Sequence, residues 1–174
     1  MAIEELVSLI PPPSAPIDGE GDWGCAENEL GLVFPSDFKQ LISRYGTGEF
    51  YGSMYIANPL MPWGRDQIRG DLERYRELSE ACEMSLQLFP DRPGLLPWGN
   101  DSNGHLYCWW TDGPQDSWRV VQLFHGYENE IESVPGPITS FLVQFMSNKY
   151  EDMLGGNPFV EEDRYFQVGL PWLK

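Results

Sequence analysis

The sequence predicts an α+β fold in which helices pack on a mostly antiparallel sheet, and three observations carry that reading. Between Gly94 and Phe124, runs rich in aromatic and β-branched residues alternate with turn clusters. The runs are Leu95-Leu96-Pro97-Trp98-Gly99, Leu106-Tyr107-Cys108-Trp109-Trp110 and Trp118 to Phe124. Asn100-Asp101-Ser102-Asn103-Gly104 and Thr111-Asp112-Gly113-Pro114-Gln115-Asp116 separate them, a pattern of strands joined by tight connections. Apolar residues at helical spacing flank this block on both sides. The order is helices, a strand, a long helix, several strands, then a helix.

Taken in order, Ile3, Leu6, Val7 and Ile10 fall at helical spacing and predict a short amphipathic helix. Pro11-Pro12-Pro13 ends it, because three fixed φ angles and missing amide donors forbid continuation. Residues 14–21 read as a linker. Trp23, Ala26 and Leu30 share one side of a second helical piece, although Gly24 weakens it. Pro35 suits the first position of the best-marked helix, and Asp37 complements the positive end of its dipole. Phe38, Leu41, Ile42 and Tyr45 form its apolar stripe, and Gly46 is its left-handed stop. From Phe50 to Ile56 alternation turns Phe50, Met54 and Ile56 toward a core, with Tyr51, Ser53 and Tyr55 opposite. Arg65 to Leu88 reads as one long surface helix, its stripe made by Leu72, Tyr75, Leu78, Cys82, Leu86 and Leu88. A further strand falls at Glu130 to Val134. Pro137 opens the last helix, with Ile138, Phe141, Leu142, Phe145 and Met146 on one stripe. Residues 150–174 form an acidic tail that adds an edge strand or packs as an arm.

The chain has 174 residues, 41% of them hydrophobic and 14% aromatic, enough for one domain with its own core. Its net charge of −16 is large for that size. Such a surface repels phosphates, which argues against nucleic acid, and attracts cationic partners. Solubility alone also accounts for it. Cys25, Cys82 and Cys108 form no CxxC pair and no even framework, so reduced, mostly buried thiols are expected. The N-terminus carries acids instead of a basic leader, and no apolar run reaches membrane-spanning length. A soluble cytoplasmic protein, off the membrane, is the expectation.

Catalytic and metal motifs are missing. There is no HExxH, GxSxG or GxxxxGK[ST], and no HxE with PCxxC. His105 and His125 stand at strand ends without a helical partner and read as structural or surface residues. Asp101-x-Asn103-Gly104 lacks the closing glutamate of a calcium loop and reads as a hairpin turn. Glu128, Glu130 and Glu132 share strand spacing, as exposed alternate positions do. No enzyme, cofactor or metal is therefore expected.

The order of two motifs is familiar. Leu30-Gly31-Leu32-Val33-Phe34-Pro35-Ser36-Asp37-Phe38-Lys39, continuing to Tyr45-Gly46-Thr47-Gly48, resembles the N-terminal signature of the SUKH superfamily. Trp23 and Glu27 stand where that family tends to have a tryptophan and a glutamate. Leu96-Pro97-Trp98-Gly99, the aromatic strand Tyr107 to Trp110, and Trp118 with Val120 and Val121 resemble its second signature. Phe141-Leu142 matches its closing helix. The resemblance runs from Ile3 to Asn148, departing at Phe34, where a leucine is usual, and in the tail. It implies an α+β single domain with a curved sheet and flanking helices over residues 1–149, of which 1–21 are the N-terminal helix and proline-rich linker. The superfamily includes bacterial immunity proteins, many of which bind and neutralise a cognate toxin, and a fungal regulator of cell-wall synthesis. The implied function is non-enzymatic neutralisation of a toxin, with a regulatory scaffold as the alternative.

Strand alternation puts Leu106, Cys108 and Trp110 on one face and Tyr107 and Trp109 on the other. Either one face stays open for a partner, or loops and the tail cover both. On the first reading Asp101, Tyr107, Trp109, Asp112, Asp116, Glu128 and Glu130 bind a basic toxin, with Glu49 and Tyr55 as outer contacts, because aromatics ringed by carboxylates make hot spots. Trp98 and Trp118 are assigned to the core.

Overall fold

The computed structural model describes residues 2–83, 85–124, 127–134, 136–149 and 159–170; strand residues 124 and 127–133 are described by backbone alone. Its helices are α1 (Ala2–Leu9), α2 (Trp23–Leu30), α3 (Ser36–Tyr45), α4 (Pro62–Ala81) and α5 (Ile138–Met146). Its strands are β1 (Gly48–Phe50), β2 (Met54–Ile56), β3 (Leu95–Asn100), β4 (Leu106–Trp110), β5 (Arg119–Phe124), β6 (Tyr127–Val134) and β7 (Phe166–Val168). They make one sheet in the order β6-β5-β4-β3-β2-β1-β7, and every named pairing is antiparallel. The α+β class read from the sequence is the observed one.

Helices cover both faces. α1, α3 and α5 pack together on the inner face, over Trp98, Tyr107, Trp109 and Val120. α4 covers part of the outer face, where Leu72, Tyr75 and Leu78 meet Leu95, Leu106, Cys108, Val121 and Leu123. Phe38 and Tyr45 fill the inner core as their spacing predicts, at 0% and 1% exposure. Gly46, at φ 69°, ends α3 with its N–H on the Ile42 carbonyl at 2.7 Å. A Cβ there would collide with the Ile17 carbonyl, so glycine is required twice over.

Neither α3 nor α5 has a capping side chain of its own, since a proline precedes each. Distant carboxylates do the work. Asp116 accepts from Ser36 N at 2.6 Å, and Asp37 accepts from Thr139 N and Oγ1 at 3.0 and 3.2 Å. Ser36 holds the Asp116 carboxyl below its ordinary value, with Lys39 helping, whereas burial raises that of Asp37. Glu27 is structural as well: it accepts from Phe34 N at 2.9 Å and pairs with Lys39, while Trp23 stands edge-on to Phe34 and Phe38.

Several boundaries differ from the sequence reading. The long helix stops at Ala81 rather than Leu88; Glu83 adopts φ 53°, and Leu88 bridges Leu95 while still packing under α4. The run Phe50 to Ile56 is a hairpin, because Tyr51 and Gly52 take positive φ between β1 and β2. Cys25 and Cys82 are exposed and only Cys108 is buried, correcting the expectation of mostly buried thiols. The tail supplies β7, outermost in the sheet beside β1.

On the inner face Gln122 is fully buried, and among the described residues neither its Oε1 nor its Nε2 has a hydrogen-bond partner. An unmet buried polar group costs about 1–3 kcal/mol. Gln122→Leu is therefore expected to stabilise the fold by about 1–3 kcal/mol, read as a higher urea midpoint at unchanged slope. A lower midpoint would show that the amide is satisfied in solution.

Candidate partner-binding surface

The candidate residues do not gather into one patch. Tyr107 and Trp109 lie on the inner face at 0% and 1% exposure, beneath helices. Their assignment to a contact surface is corrected: α1, α3 and α5 close that face. Trp98 and Trp118 are buried too, at 0% and 2%.

Asp101, at 6% exposure, is an organiser of its turn. Its Oδ1 accepts from the amides of Asn103 (2.9 Å) and His105 (3.0 Å), and its Oδ2 meets His105 Nδ1 and accepts the Tyr107 hydroxyl, both at 3.0 Å. Burial and the Tyr51 and Asp101 groups push the Tyr107 phenol well above its usual range, so it remains a donor. Such a carboxylate has little left for a partner. Asp112 and Asp116 are exposed beyond the far end of β4, and Asp116 is committed to α3. Glu128 and Glu130 lie on β6, where the side chains fall outside the described residues.

Glu49 and Tyr55 do come together. Register pairs Gln167 with Glu49, Glu49 with Tyr55, Tyr55 with Asn100, and Asn100 with Leu106, a row running across five strands on the outer face. Its apolar end lies under α4 and its polar end runs out to β7. Glu49 is mostly buried at 8%, Tyr55 is half-buried and Gln167 is exposed. From α4, Asp71 accepts from Asn100 Nδ2 at 3.1 Å and pairs with Arg74 at 3.3 Å, while Gln67 hydrogen-bonds Tyr55. Burial raises the Asp71 carboxyl and, with Asp71 beside it, the Tyr55 phenol. Two carboxylates, a phenol and two amides thus converge at one end of the sheet. They suit hydrogen bonding and cationic groups; no nucleophile–base pair is formed among them. Sequence reasoning missed Gln67, Asp71 and Asn100 because their convergence depends on α4 crossing that face, which periodicity does not encode.

A concavity of about 310 Å³ lies elsewhere, between α2, α4 and Phe89-Pro90, floored by Leu30, Leu32, Ile68, Leu72 and Leu96. Its charged rim is already paired: Arg69 meets Glu29 at 3.2 Å and Arg76 meets Glu73 at 2.7 Å. Exposed pairs of this kind contribute little stability and leave no uncompensated charge to select a ligand.

Among the described residues no cluster of histidine, cysteine and carboxylates could hold a metal, and no helix is long and apolar enough to cross a membrane. A family model, SUKH_6, described as SMI1-KNR4 cell-wall, matches residues 20–142. No curated protein and no solved structure gives a significant match.

Proposed function

The chain belongs to the SUKH_6 family, described as SMI1-KNR4 cell-wall, and we propose on that basis that it is a non-enzymatic protein-binding domain that neutralises a cognate toxin. Family membership over most of the chain is the observation that carries this reading. The net charge of −16 supports a basic partner, a nuclease toxin being one fit: a strongly acidic surface speeds encounter with a cationic domain and orients it before contact. Docking then covers the toxin's active site or substrate groove. The polar row from Tyr55 through Glu49 to Gln167 is the surface that best suits cationic side chains, replacing the inner-face aromatics as the centre of the interface: Asp71 is already held by Arg74 and Asn100, whereas Glu49 has no ion-pair partner among the described residues.

The family description also supports a regulatory scaffold in cell-wall synthesis, without a toxin. Co-expression separates the two readings. The protein is expected to restore growth to cells making a toxin encoded beside its gene, and to co-purify with it. If every such neighbour kills equally with and without it, the scaffold reading replaces neutralisation. The association rate with the toxin is expected to fall steeply with added salt, and a flat response would remove charge from the mechanism.

A further inference from the structure

β7 is the last strand of the sheet, and its main-chain groups can be sorted by direction. Tyr165 O accepts from Tyr51 N and Gly169 N donates to Thr47 O, both at 2.9 Å, with Gln167 opposite Glu49 between them. Bonding residues alternate along an antiparallel pair, so residues 165, 167 and 169 face β1 while Phe166 and Val168 direct their N–H and C=O groups outward. Among the described residues no strand pairs with that outer edge. Native edges are commonly guarded by brevity, lysine, proline or a bulge; β7 is only three residues long, but Phe166-Gln167-Val168 has no lysine, proline or bulge.

The surroundings are apolar and acidic together. Five large hydrophobic residues are exposed among the described residues, and four of them lie on the arm or beside it, on both faces of the strand. Val160 (55%), Tyr165 (42%) and Val168 (40%) lie on the arm. Ile17 (47%) adjoins it, since Thr47 bonds the Ile17 carbonyl through its N–H and Gly169 through its own carbonyl. The turn Glu161–Asp163 places three consecutive carboxylates just before the strand.

The edge is held firmly. The Asn148 amide both donates to Phe159 O (2.9 Å) and accepts from Phe159 N (2.6 Å), and Arg164 Nε caps the Met146 carbonyl at 3.0 Å. The Phe166 ring stands edge-on against Tyr45 at 5.2 Å and Phe50 at 4.9 Å. A Cβ at Gly48 would strike that ring and the Gln167 carbonyl, so the seat is cut to the arm.

We infer that the outer edge of β7 receives an extended, basic segment of the partner protein as an added strand, an inference that rests on the partner-binding reading above. Main-chain bonds to Phe166 and Val168 supply the register, the exposed apolar side chains pack against alternate residues of the incoming strand, and the Glu161–Asp163 turn selects lysine or arginine. A second copy of the chain is the poorer occupant, because it brings a further −16 to an acidic edge.

The test uses the full chain and a six-residue peptide of alternating lysine and valine. A control peptide of the same charge is N-methylated at alternate amides. The unmodified peptide is expected to bind and to slow amide exchange at Phe166 and Val168. The methylated peptide, and Val168→Pro, which deletes one outward N–H without touching a bond to β1, are each expected to weaken binding at least about tenfold. Equal binding of both peptides, or unchanged exchange at the two amides, overturns the inference even if the proline variant folds poorly. With a toxin in hand the readings separate. A stable Val168→Pro chain that still protects cells as well as its parent sinks strand docking and leaves neutralisation standing. A parent chain that protects against no toxin removes neutralisation, while edge-specific binding of the peptide still upholds strand docking.

Discussion

Trp109→Ala is expected to destabilise the protein by about 3–5 kcal/mol, the range for emptying a buried aromatic site. The indole is 1% exposed and stands edge-on to Phe38 at 4.9 Å, with Phe34, Trp98 and Trp118 each about 6.1 Å away. These neighbours come from the loop before α3, from α3, from β3 and from the approach to β5, so no single element can shift to refill the space. A domain with an ordinary margin of roughly 5–15 kcal/mol loses a large part of it. Urea unfolding of the variant measures the loss directly. Were Trp109 a contact residue on an open face, stability would change by less than about 0.5 kcal/mol and toxin binding would suffer instead. A variant with the parent's midpoint would therefore return Trp109 to the surface.

Asp101→Ala is expected to destabilise by about 2–4 kcal/mol, more than any exposed turn acid would. The truncation strips four hydrogen bonds from one buried carboxylate and leaves the Tyr107 hydroxyl without that acceptor in the core. The β3–β4 turn loses both amide contacts that shape it. Loss of fold is expected before loss of recognition: at temperatures where the variant remains folded, its affinity for a basic partner should match the parent's. A stable variant with weakened binding would restore Asp101 to the interface.

Both residues show where sequence stops being informative. Alternation along Leu106 to Trp110 separated the two faces correctly, and the structure keeps that separation. How each face is covered depends on where four helices land, and among the described helices only α4 packs on the outer side. The stripe of α3, the stripe of α5 and the inward set Phe50, Met54 and Ile56 were legible because each is a local period read against one buried direction. The end of α4 was not: Leu86 and Leu88 continue its apolar stripe by packing beside it in a different conformation. Asp101 reads as a partner contact because turn acids are usually solvated, but this turn closes over its own carboxylate through partners only two to six residues away, a geometry that composition does not specify. The family likeness, by contrast, rests on residues such as Trp23, Glu27 and Gly46 whose contacts are now visible, and it holds over residues 20–142.

The borrowed helix caps bear on how the chain reaches this state. Asp116 serves Ser36 from 80 residues away and Asp37 serves Thr139 from 102. Neither helix start is complete while its neighbourhood is merely local, so α3 and α5 mature together with the β4–β5 connection rather than ahead of it. Loops of that length close slowly, and the ordering entropy is spent before the bonds are gained. The finished domain is therefore expected to melt as one cooperative unit, helix signal and sheet-core tryptophan fluorescence sharing one urea midpoint; separate midpoints would show the helices fraying first.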